Sequence, residues 1–143
     1  MSSARRTITI DRPVDEVFAF FTTPSNDVKW RPAVKELTAQ GPLAVGSRLH
    51  QVIRGPGGRG IPADIEVTAY EPPSHYAFKV VAGPVRPEGE FRFTPSAPGT
   101  EVTLSLGADL GGVKGLVLSR SVQKSMDSEV AGLDTAKRLL EER

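Results

Sequence analysis

The sequence contains no cysteine, and its only histidines are His50 and His75. A chain without cysteine forms no disulfide bond, no thiolate metal site and no cysteine nucleophile, and two histidines are too few for a three-histidine zinc site. Neither sign of charge dominates, since 18 Lys and Arg face 17 Asp and Glu and the net charge is +1. Nucleic-acid-binding proteins usually carry a basic excess. The composition therefore predicts no metal, no cofactor and no nucleic-acid partner.

Long apolar runs are also missing from the chain. No segment approaches the ~20 apolar residues that span a bilayer, and Arg5-Arg6 lead into an alternating segment where a signal peptide would have its apolar region. We therefore expect a cytoplasmic protein that does not insert into a membrane. The length of 143 residues and the hydrophobic content of 38% suit a single domain over residues 1–143 with its own core. No pattern in the sequence indicates an oligomeric state.

Glycine and proline, in contrast, are abundant, with 14 and 12 copies, and most of them separate segments in which polar and apolar residues alternate. Such punctuation is typical of antiparallel strands joined by turns. Between the first strand and the second, Val14, Val17, Phe18 and Phe21 recur at helical spacing after Pro13, and a second short helix is predicted over residues 26–31. The predicted strands are residues 5–11, 34–40, 47–54, 61–71, 75–82, 89–94 and 100–110.

The C-terminal part of the chain has the pattern of a long amphipathic helix. Its apolar residues recur at helical spacing: Val122, Met126, Val130, Leu133 and Leu140. We expect a bend or a late helix start at Gly115 or at residues 119–121, where the apolar stripe is interrupted. Because a curved antiparallel sheet needs one face covered, the predicted fold is α+β. It consists of a curved antiparallel sheet of about seven strands around the long C-terminal helix, with two short helices after the first strand.

Five segments, in this order along the chain, carry a resemblance to a known family. They are residues 8–20 (ITIDRPVDEVFAF), 30–32 (WRP), 45–49 (VGSRL), 66–73 (EVTAYEPP) and 89–93 (GEFRF). In these segments the chain resembles the START-like, or SRPBCC, superfamily of helix-grip proteins, in its polyketide cyclase/dehydrase-like branch. The resemblance extends from Thr7 to Leu140.

The resemblance implies a deep, mostly apolar cavity between the sheet and the C-terminal helix. Members of the superfamily use this cavity to hold lipids, hormones or polyketides, and a minority cyclise or dehydrate the bound molecule. The resemblance implies no shared catalytic residue.

Alternation also separates the two faces of the predicted sheet. One face is apolar in nearly every strand and is expected to be concave, while the other carries polar and charged residues and is expected to face water. The concave face, together with Trp30 and the inner side of the last helix, gives the predicted ligand-binding residues: Trp30, Leu49, Gln51, Ile53, Val67, Tyr76, Phe78, Phe91, Phe93, Leu104, Met126 and Val130.

Three residues of this set carry polar groups, and each has two interpretations. Gln51 either bonds to a neighbouring backbone group or a water, or it orients a ligand carbonyl or hydroxyl, because a buried polar group needs a partner. Tyr76 either donates to a ligand oxygen or lies with its hydroxyl at the rim of the sheet. Trp30 either stacks on a ligand ring at the cavity mouth or wedges the two short helices against the sheet.

No convincing acid–base pair emerges from the pattern, and the catalytic residue stays unknown, with Tyr76, Gln51 and His50 as weak candidates. Histidine is a common general base, but alternation places His50 on the polar face. Only a bulge would turn it inward. The charged residues of the last helix, Glu129 among them, are expected to form a solvent-exposed face.

The sequence leaves functions from different classes open. The first is binding of a hydrophobic small molecule (a lipid, polyketide or aromatic metabolite) in the cavity. The second is a polyketide cyclase/dehydrase that uses no metal. In such an enzyme, positioning of the substrate lowers the barrier, and Tyr76 moves protons with a water held by Gln51. A ligand-responsive interaction module is a third class, which only the exposed loops favour.

Overall fold

The computed structural model of the protein describes residues 2–82, 86–108 and 112–143, with the backbone alone at residues 2, 56 and 112–121. Within these ranges, no helix combines the length and the apolar character needed to cross a membrane. The elements follow the predicted order. They are β1 (Ser2–Ile10), α1 (Val14–Phe21), α2 (Asp27–Trp30), β2 (Val34–Ala39), β3 (Arg48–Arg54), β4 (Gly60–Pro62), β5 (Ile65–Glu71), β6 (His75–Val80), β7 (Glu88–Ser96), β8 (Gly99–Ala108), α3 (Gly112–Ala131) and α4 (Leu133–Glu141).

The strands form one antiparallel sheet in the order β1-β8-β7-β6-β5-β3-β2, and the short β4 pairs with β3. The curved sheet and the long C-terminal helix confirm the predicted helix-grip architecture. The single strand predicted at residues 61–71 is divided into β4 and β5. Pro62 ends β4 because proline has no N–H to donate to the ladder, although β4 and β5 keep the same register against β3.

A β-bulge in β5 changes which of its side chains face inward. The register against β6 shifts between Val67 and Ala69, so that Tyr70 lies opposite Tyr76. The Tyr70 ring then contacts Phe18 on α1, with 5.6 Å between the ring centroids. Unbroken alternation from Val67 would have directed Tyr70 to the outer face. Alternation in this strand therefore assigns faces correctly only as far as Val67.

The core lies between the inner face of the sheet and the helices. On the sheet side it includes Val67, Phe93 and Leu104, and on the helix side Leu133 and Leu140, each at most 2% exposed. Burial of an apolar side chain of this size stabilises the fold by about 1.5–3 kcal/mol. The apolar face of the sheet therefore determines where the helices pack.

The C-terminal helix is interrupted at Gly132, between α3 and α4. Gly115 and residues 119–121 do not mark a late helix start, since α3 begins at Gly112 and runs through both places without interruption. Gly132 lies against α2 instead: a Cβ at this position would be 2.7 Å from the carbonyl oxygen of Trp30. The absence of a side chain thus sets how closely the C-terminal helix approaches α2.

We expect Gly132→Ala to destabilise the protein by about 1–2 kcal/mol. The added methyl group would push against a backbone carbonyl that moves only together with α2. Overpacking of this kind costs about 1–3 kcal/mol, which exceeds the ~1 kcal/mol that alanine gains over glycine in a helix. Urea unfolding followed by circular dichroism measures the change. Gly41→Ala is the control, since a Cβ there meets no atom within 4 Å; a more stable Gly132→Ala protein would contradict the close contact.

Candidate functional site

A small cavity of about 90 Å³ lies between the inner face of the sheet and the helices α2 and α3. Glu88, whose side chain is exposed, marks the place where the cavity reaches the surface. The apolar walls come from β5 to β8 and the residue before β7: Ile65, Phe78, Val80, Pro87, Phe91, Leu104 and Leu106. The remaining lining residues form the polar cluster of the cavity: Asp27, Trp30, Arg31, Gln51, Tyr76 and Glu129.

Arg31 holds the polar cluster together. Its Nε and Nη2 donate to the two carboxylate oxygens of Glu129 at 2.8 and 3.0 Å. Its Nη1 donates to Asp27 Oδ2 at 2.9 Å and to Gln51 Oε1 at 3.0 Å. The side chain of Arg31 is 11% exposed, that of Asp27 12% and that of Glu129 19%. Because charges so poorly hydrated are tolerated only when paired and hydrogen-bonded, these side chains act as one unit.

Three separate elements bring these groups together. Asp27 begins α2 and Arg31 follows its last residue, so the two side chains lie four positions apart on the same side of one helical turn. Gln51 comes from the inner face of β3. Glu129 comes from α3, about one turn before Gly132, which packs against α2. The close approach of the two helices therefore determines whether Glu129 reaches Arg31.

Gln51 is 3% exposed and has a protein partner at each end of its amide. Nε2 donates to the carbonyl oxygen of Ala63 at 2.9 Å, and Oε1 accepts from Arg31. The bond to Ala63 matches the first interpretation of this residue, a bond to a neighbouring backbone group. The bond to Arg31 has no counterpart in the sequence pattern. Gln51 thus helps to position Arg31 and, through it, the carboxylates that Arg31 binds.

Two groups of the polar cluster have no hydrogen-bond partner in the described part of the chain, and one of them, the Trp30 indole N–H, is itself buried. The Trp30 indole N–H is buried and unpaired, although the ring wedges edge-on between Phe21 of α1 and Phe91 of β7. Tyr76 is 5% exposed and stacks on Phe91, while its hydroxyl bonds to no group in the described part of the chain. A buried unsatisfied donor costs about 1–3 kcal/mol. The Trp30 N–H is therefore suited to an acceptor that enters the cavity.

Burial controls the ionisation of the polar cluster. Loss of hydration raises the pKa of Asp27 to about 6, outweighing the attraction of Arg31, and the charge of Glu129 adds to the effect. Burial also raises the pKa of Tyr76, with a further contribution from Asp27. Burial alone would lower the pKa of Arg31, but Glu129 and Asp27 outweigh it and raise that pKa. Near neutral pH the cluster therefore contains a permanent cation, a neutral phenol and a carboxyl group close to its titration point.

The cavity brings together some of the predicted ligand-binding residues and leaves others in the core. Those that line it are Trp30, Gln51, Tyr76, Phe78, Phe91 and Leu104. Those that do not line it are Leu49, Ile53, Val67, Phe93, Met126 and Val130, which pack in or against the core. Alternation identifies the face on which a side chain lies, but it does not indicate where along the strand a cavity opens.

His50 lies outside the cavity, on the outer face of β3, as alternation predicts. Its side chain is 51% exposed, and its Nδ1 lies 2.9 Å from Asp64 Oδ1. No bulge turns it inward, so this weak candidate for a general base does not reach the cavity. His75 also lies on the outer face, with its ring nitrogens against Glu71 and Glu90. Among the residues that the structure describes, no group of three His, Asp or Glu side chains converges as a metal site requires.

The charged members of the polar cluster are absent from the predicted site. Glu129, expected on a solvent-exposed helix face, is instead the partner of Arg31. The spacing of Asp27 and Arg31 is also that of an ordinary surface ion pair, so it gives no sign of burial. The sequence did contain one indication of their location. Arg31 directly follows Trp30 and Glu129 directly precedes Val130, and both of these apolar neighbours are buried.

We expect Arg31→Met to lower the free energy of unfolding by about 3–5 kcal/mol at pH 7, because it leaves the buried carboxylate of Asp27 and the half-buried carboxylate of Glu129 without a counter-charge. Arg6→Met is the matched control. The Arg6–Asp134 pair also joins the sheet to the C-terminal helix, but its side chains are 33% and 67% exposed, and such pairs contribute about 0–1 kcal/mol. Chemical unfolding of the variants measures both losses. Equal losses would show that the Arg31 pairs are no more buried in solution than the Arg6 pair.

Asp27 also makes stability depend on pH. Its pKa is about 6 in the folded protein, against the ordinary value of 3.8, so the native state binds this proton more tightly than the unfolded state does. The stabilisation is complete below about pH 4 and is lost as the pH rises through 6. Relative to Asp27→Asn, the wild-type protein should therefore lose on the order of 2–3 kcal/mol between pH 4 and pH 7.

Urea unfolding of the wild type and the variant at both pH values measures this difference, in which the other titrating groups cancel. Asp134→Asn is the control of opposite sign, because hydrogen bonding to Arg6 lowers the pKa of Asp134. A wild-type protein that gains stability relative to Asp27→Asn as the pH rises from 4 to 7 would contradict the buried state of Asp27.

Comparison with known proteins identifies the family to which the chain belongs. The sequence profile described as "Polyketide cyclase / dehydrase and lipid transport" matches residues 1–138. Among curated proteins, none matches the sequence. A solved structure from Thermus thermophilus is 22% identical, with 96% of each chain covered and a TM-score of 0.79. A START superfamily protein from Mycobacterium smegmatis is 14% identical, with 99% of each chain covered and a TM-score of 0.79.

A third similar structure is the di-domain ARO/CYC StfQ from the steffimycin biosynthetic pathway, which is 16% identical with a TM-score of 0.77. The match covers 99% of this chain and 51% of StfQ. Identities this low show a common fold, whereas the family profile matches nearly the whole length of the sequence. The chain therefore belongs to the polyketide cyclase/dehydrase and lipid transport family of START-like, helix-grip proteins.

Proposed function

We propose that the protein binds a small, mostly apolar molecule in the cavity between the sheet and the C-terminal helix. The observation that carries the proposal is a cavity with apolar walls on four strands and a cluster of polar groups among its lining residues. Small-molecule sites commonly combine apolar walls, which supply affinity, with a few polar groups, which supply orientation. The buried N–H of Trp30, which has no partner among the residues that the structure describes, supports this function further, because a ligand acceptor would satisfy it.

The volume of the cavity limits the size of the ligand. A volume of about 90 Å³ corresponds to roughly three water molecules at about 30 Å³ each, whereas typical ligand sites enclose about 300–1,000 Å³. We therefore expect a ligand of about one ring, or one end of a longer molecule. A complete lipid or polyketide chain requires the half-buried Phe78 and Leu106 to move apart.

A second function, that of a polyketide cyclase/dehydrase, is favoured by Asp27. A carboxyl group with a pKa of about 6 is matched to proton transfer near neutral pH, and unpaired donors on Trp30 and Tyr76 lie in the same cavity. In this function Asp27 takes a proton from an activated carbon, and one of the donors stabilises the resulting enolate oxygen. Gln51 is already bonded to Ala63 and Arg31, so Asp27 is better placed than a Gln51-held water. The ARO/CYC StfQ shares the fold.

The proposed function also includes a domain organisation, a location and a class of ligand. We expect one START-like domain over residues 1–143 that meets a dissolved metabolite in the cytoplasm. The nearly balanced charge of the chain supports a small-molecule ligand over a nucleic acid.

We expect native mass spectrometry of the protein, purified gently from its own source, to show a retained small mass. Leu106→Trp should abolish it, because the larger side chain fills the cavity where the half-buried Leu106 lines it. Val45→Trp is the control, since Val45 is 65% exposed and lies outside the cavity. The skeleton of the retained molecule distinguishes the functions: an uncyclised poly-β-carbonyl compound would favour the enzyme.

A wild-type protein that retains no mass and binds no apolar probe would contradict both functions. Retention that Leu106→Trp leaves unchanged would place the ligand elsewhere on the molecule.

A further inference from the structure

The charges that line the cavity are mostly negative. In the described part of the chain they are three acidic side chains, Asp27, Glu88 and Glu129, and one basic side chain, Arg31. Arg31 is already paired with two of the carboxylates. An anionic ligand would therefore enter a poorly hydrated site whose own charge repels it, and Coulomb repulsion is strongest where water is excluded.

Arg31 also has too few free hydrogen atoms to bind an anion in the usual way. A guanidinium has five N–H groups, and four of them donate within the polar cluster, to Glu129, Asp27 and Gln51. The one that remains is on Nη2. Bidentate binding of a ligand carboxylate needs two parallel N–H groups. The half-buried arginine of this cavity thus serves the protein's own carboxylates.

The groups that lack partners have complementary requirements. The Trp30 indole N–H can only donate and needs an acceptor. Asp27 Oδ2 accepts from Arg31, whereas Oδ1 has no partner in the described residues and, when ionised, needs a donor. Asp27 and Trp30 are three positions apart on α2, so their side chains are neighbours on one face. The Tyr76 hydroxyl, which can donate or accept, lies within the electrostatic reach of Asp27.

We propose that this arrangement selects a neutral ligand with a hydroxyl group, a phenol or an alcohol, and rejects carboxylates. The ligand oxygen accepts from the Trp30 N–H, its hydrogen is donated to Asp27, and Tyr76 supplies a further bond. An ether or ketone satisfies Trp30 but not the ionised Asp27, and an ammonium group satisfies Asp27 but not Trp30. This inference rests on the proposed binding function and adds the polar group of the ligand to it.

The test compares five one-ring probes that differ in their substituent: phenol, anisole, toluene, benzoate and benzylammonium. Each is titrated into the full-length protein at pH 7.5, and binding is followed by amide chemical shifts in NMR spectra. We expect phenol to bind about tenfold more tightly than toluene or anisole, the effect of one charge-assisted hydrogen bond. Benzoate should cause no saturable shift.

Two nearly isosteric variants test which residues cause the preference for phenol over toluene. Asp27→Asn should reduce the preference for phenol over toluene to about threefold, because a bond to a neutral acceptor is about half as strong. Tyr76→Phe should reduce it as well. Tyr70→Phe is the matched control: Tyr70 contacts the Tyr76 ring but does not line the cavity.

Each other outcome overturns the inference in a recognisable way. Equal binding of phenol and toluene, both blocked by Leu106→Trp, would refute hydroxyl selection while leaving the proposed binding function intact. Tighter binding of benzoate or benzylammonium than of phenol would refute the assigned hydrogen-bonding roles. Absence of binding by every probe would remove the proposed function and this inference together.

Discussion

The pairing of the half-buried Arg31 guanidinium with the carboxylates of Asp27 and Glu129 is the interaction on which the arrangement of the site depends. Arg31 joins α2 to α3 through Glu129 and to β3 through Gln51, so elements distant in the sequence meet at one side chain. A buried charge that loses its partner costs several kcal/mol, and partial pairing is therefore not a stable compromise. The helix α3 must cross the sheet where Glu129 reaches Arg31, and the space left between these groups and the apolar strands is the cavity.

Because the cavity lies between the Arg31 ion pairs and the apolar strands, it combines apolar walls with a cluster of polar and charged groups. Its walls are ordinary core side chains, such as Phe91 and Leu104, whose burial stabilises the sheet whether or not a ligand is present. Its polar cluster is already satisfied at Arg31 and Gln51 but left open at Trp30 and Tyr76. The stable part of the cluster therefore serves as a scaffold, and the open part is available for recognition or for proton transfer.

Periodicity predicts most of the fold, because alternation, helical spacing and the positions of glycine and proline are local properties of the chain. It fails where a tertiary contact determines the local structure. The bulge that turns Tyr70 inward is one example, and the interruption of the C-terminal helix at Gly132, which packs against Trp30, is another. The candidate site divides in the same way. Apolar wall residues such as Phe91 follow from alternation, whereas Arg31 and Glu129 look like surface charges until the two helices that carry them are brought together.

The apolar and the polar parts of the cavity come from different elements of the fold, and this separation has an evolutionary consequence. The apolar walls belong to the sheet, while much of the polar cluster belongs to one short helix and one position on the C-terminal helix. Substitutions at those few helical positions would alter the chemistry inside the cavity and leave every strand pairing in place. A lineage with this architecture can therefore diversify its ligands while its backbone stays conserved, in keeping with superposable structures that share only 14–22% of their residues.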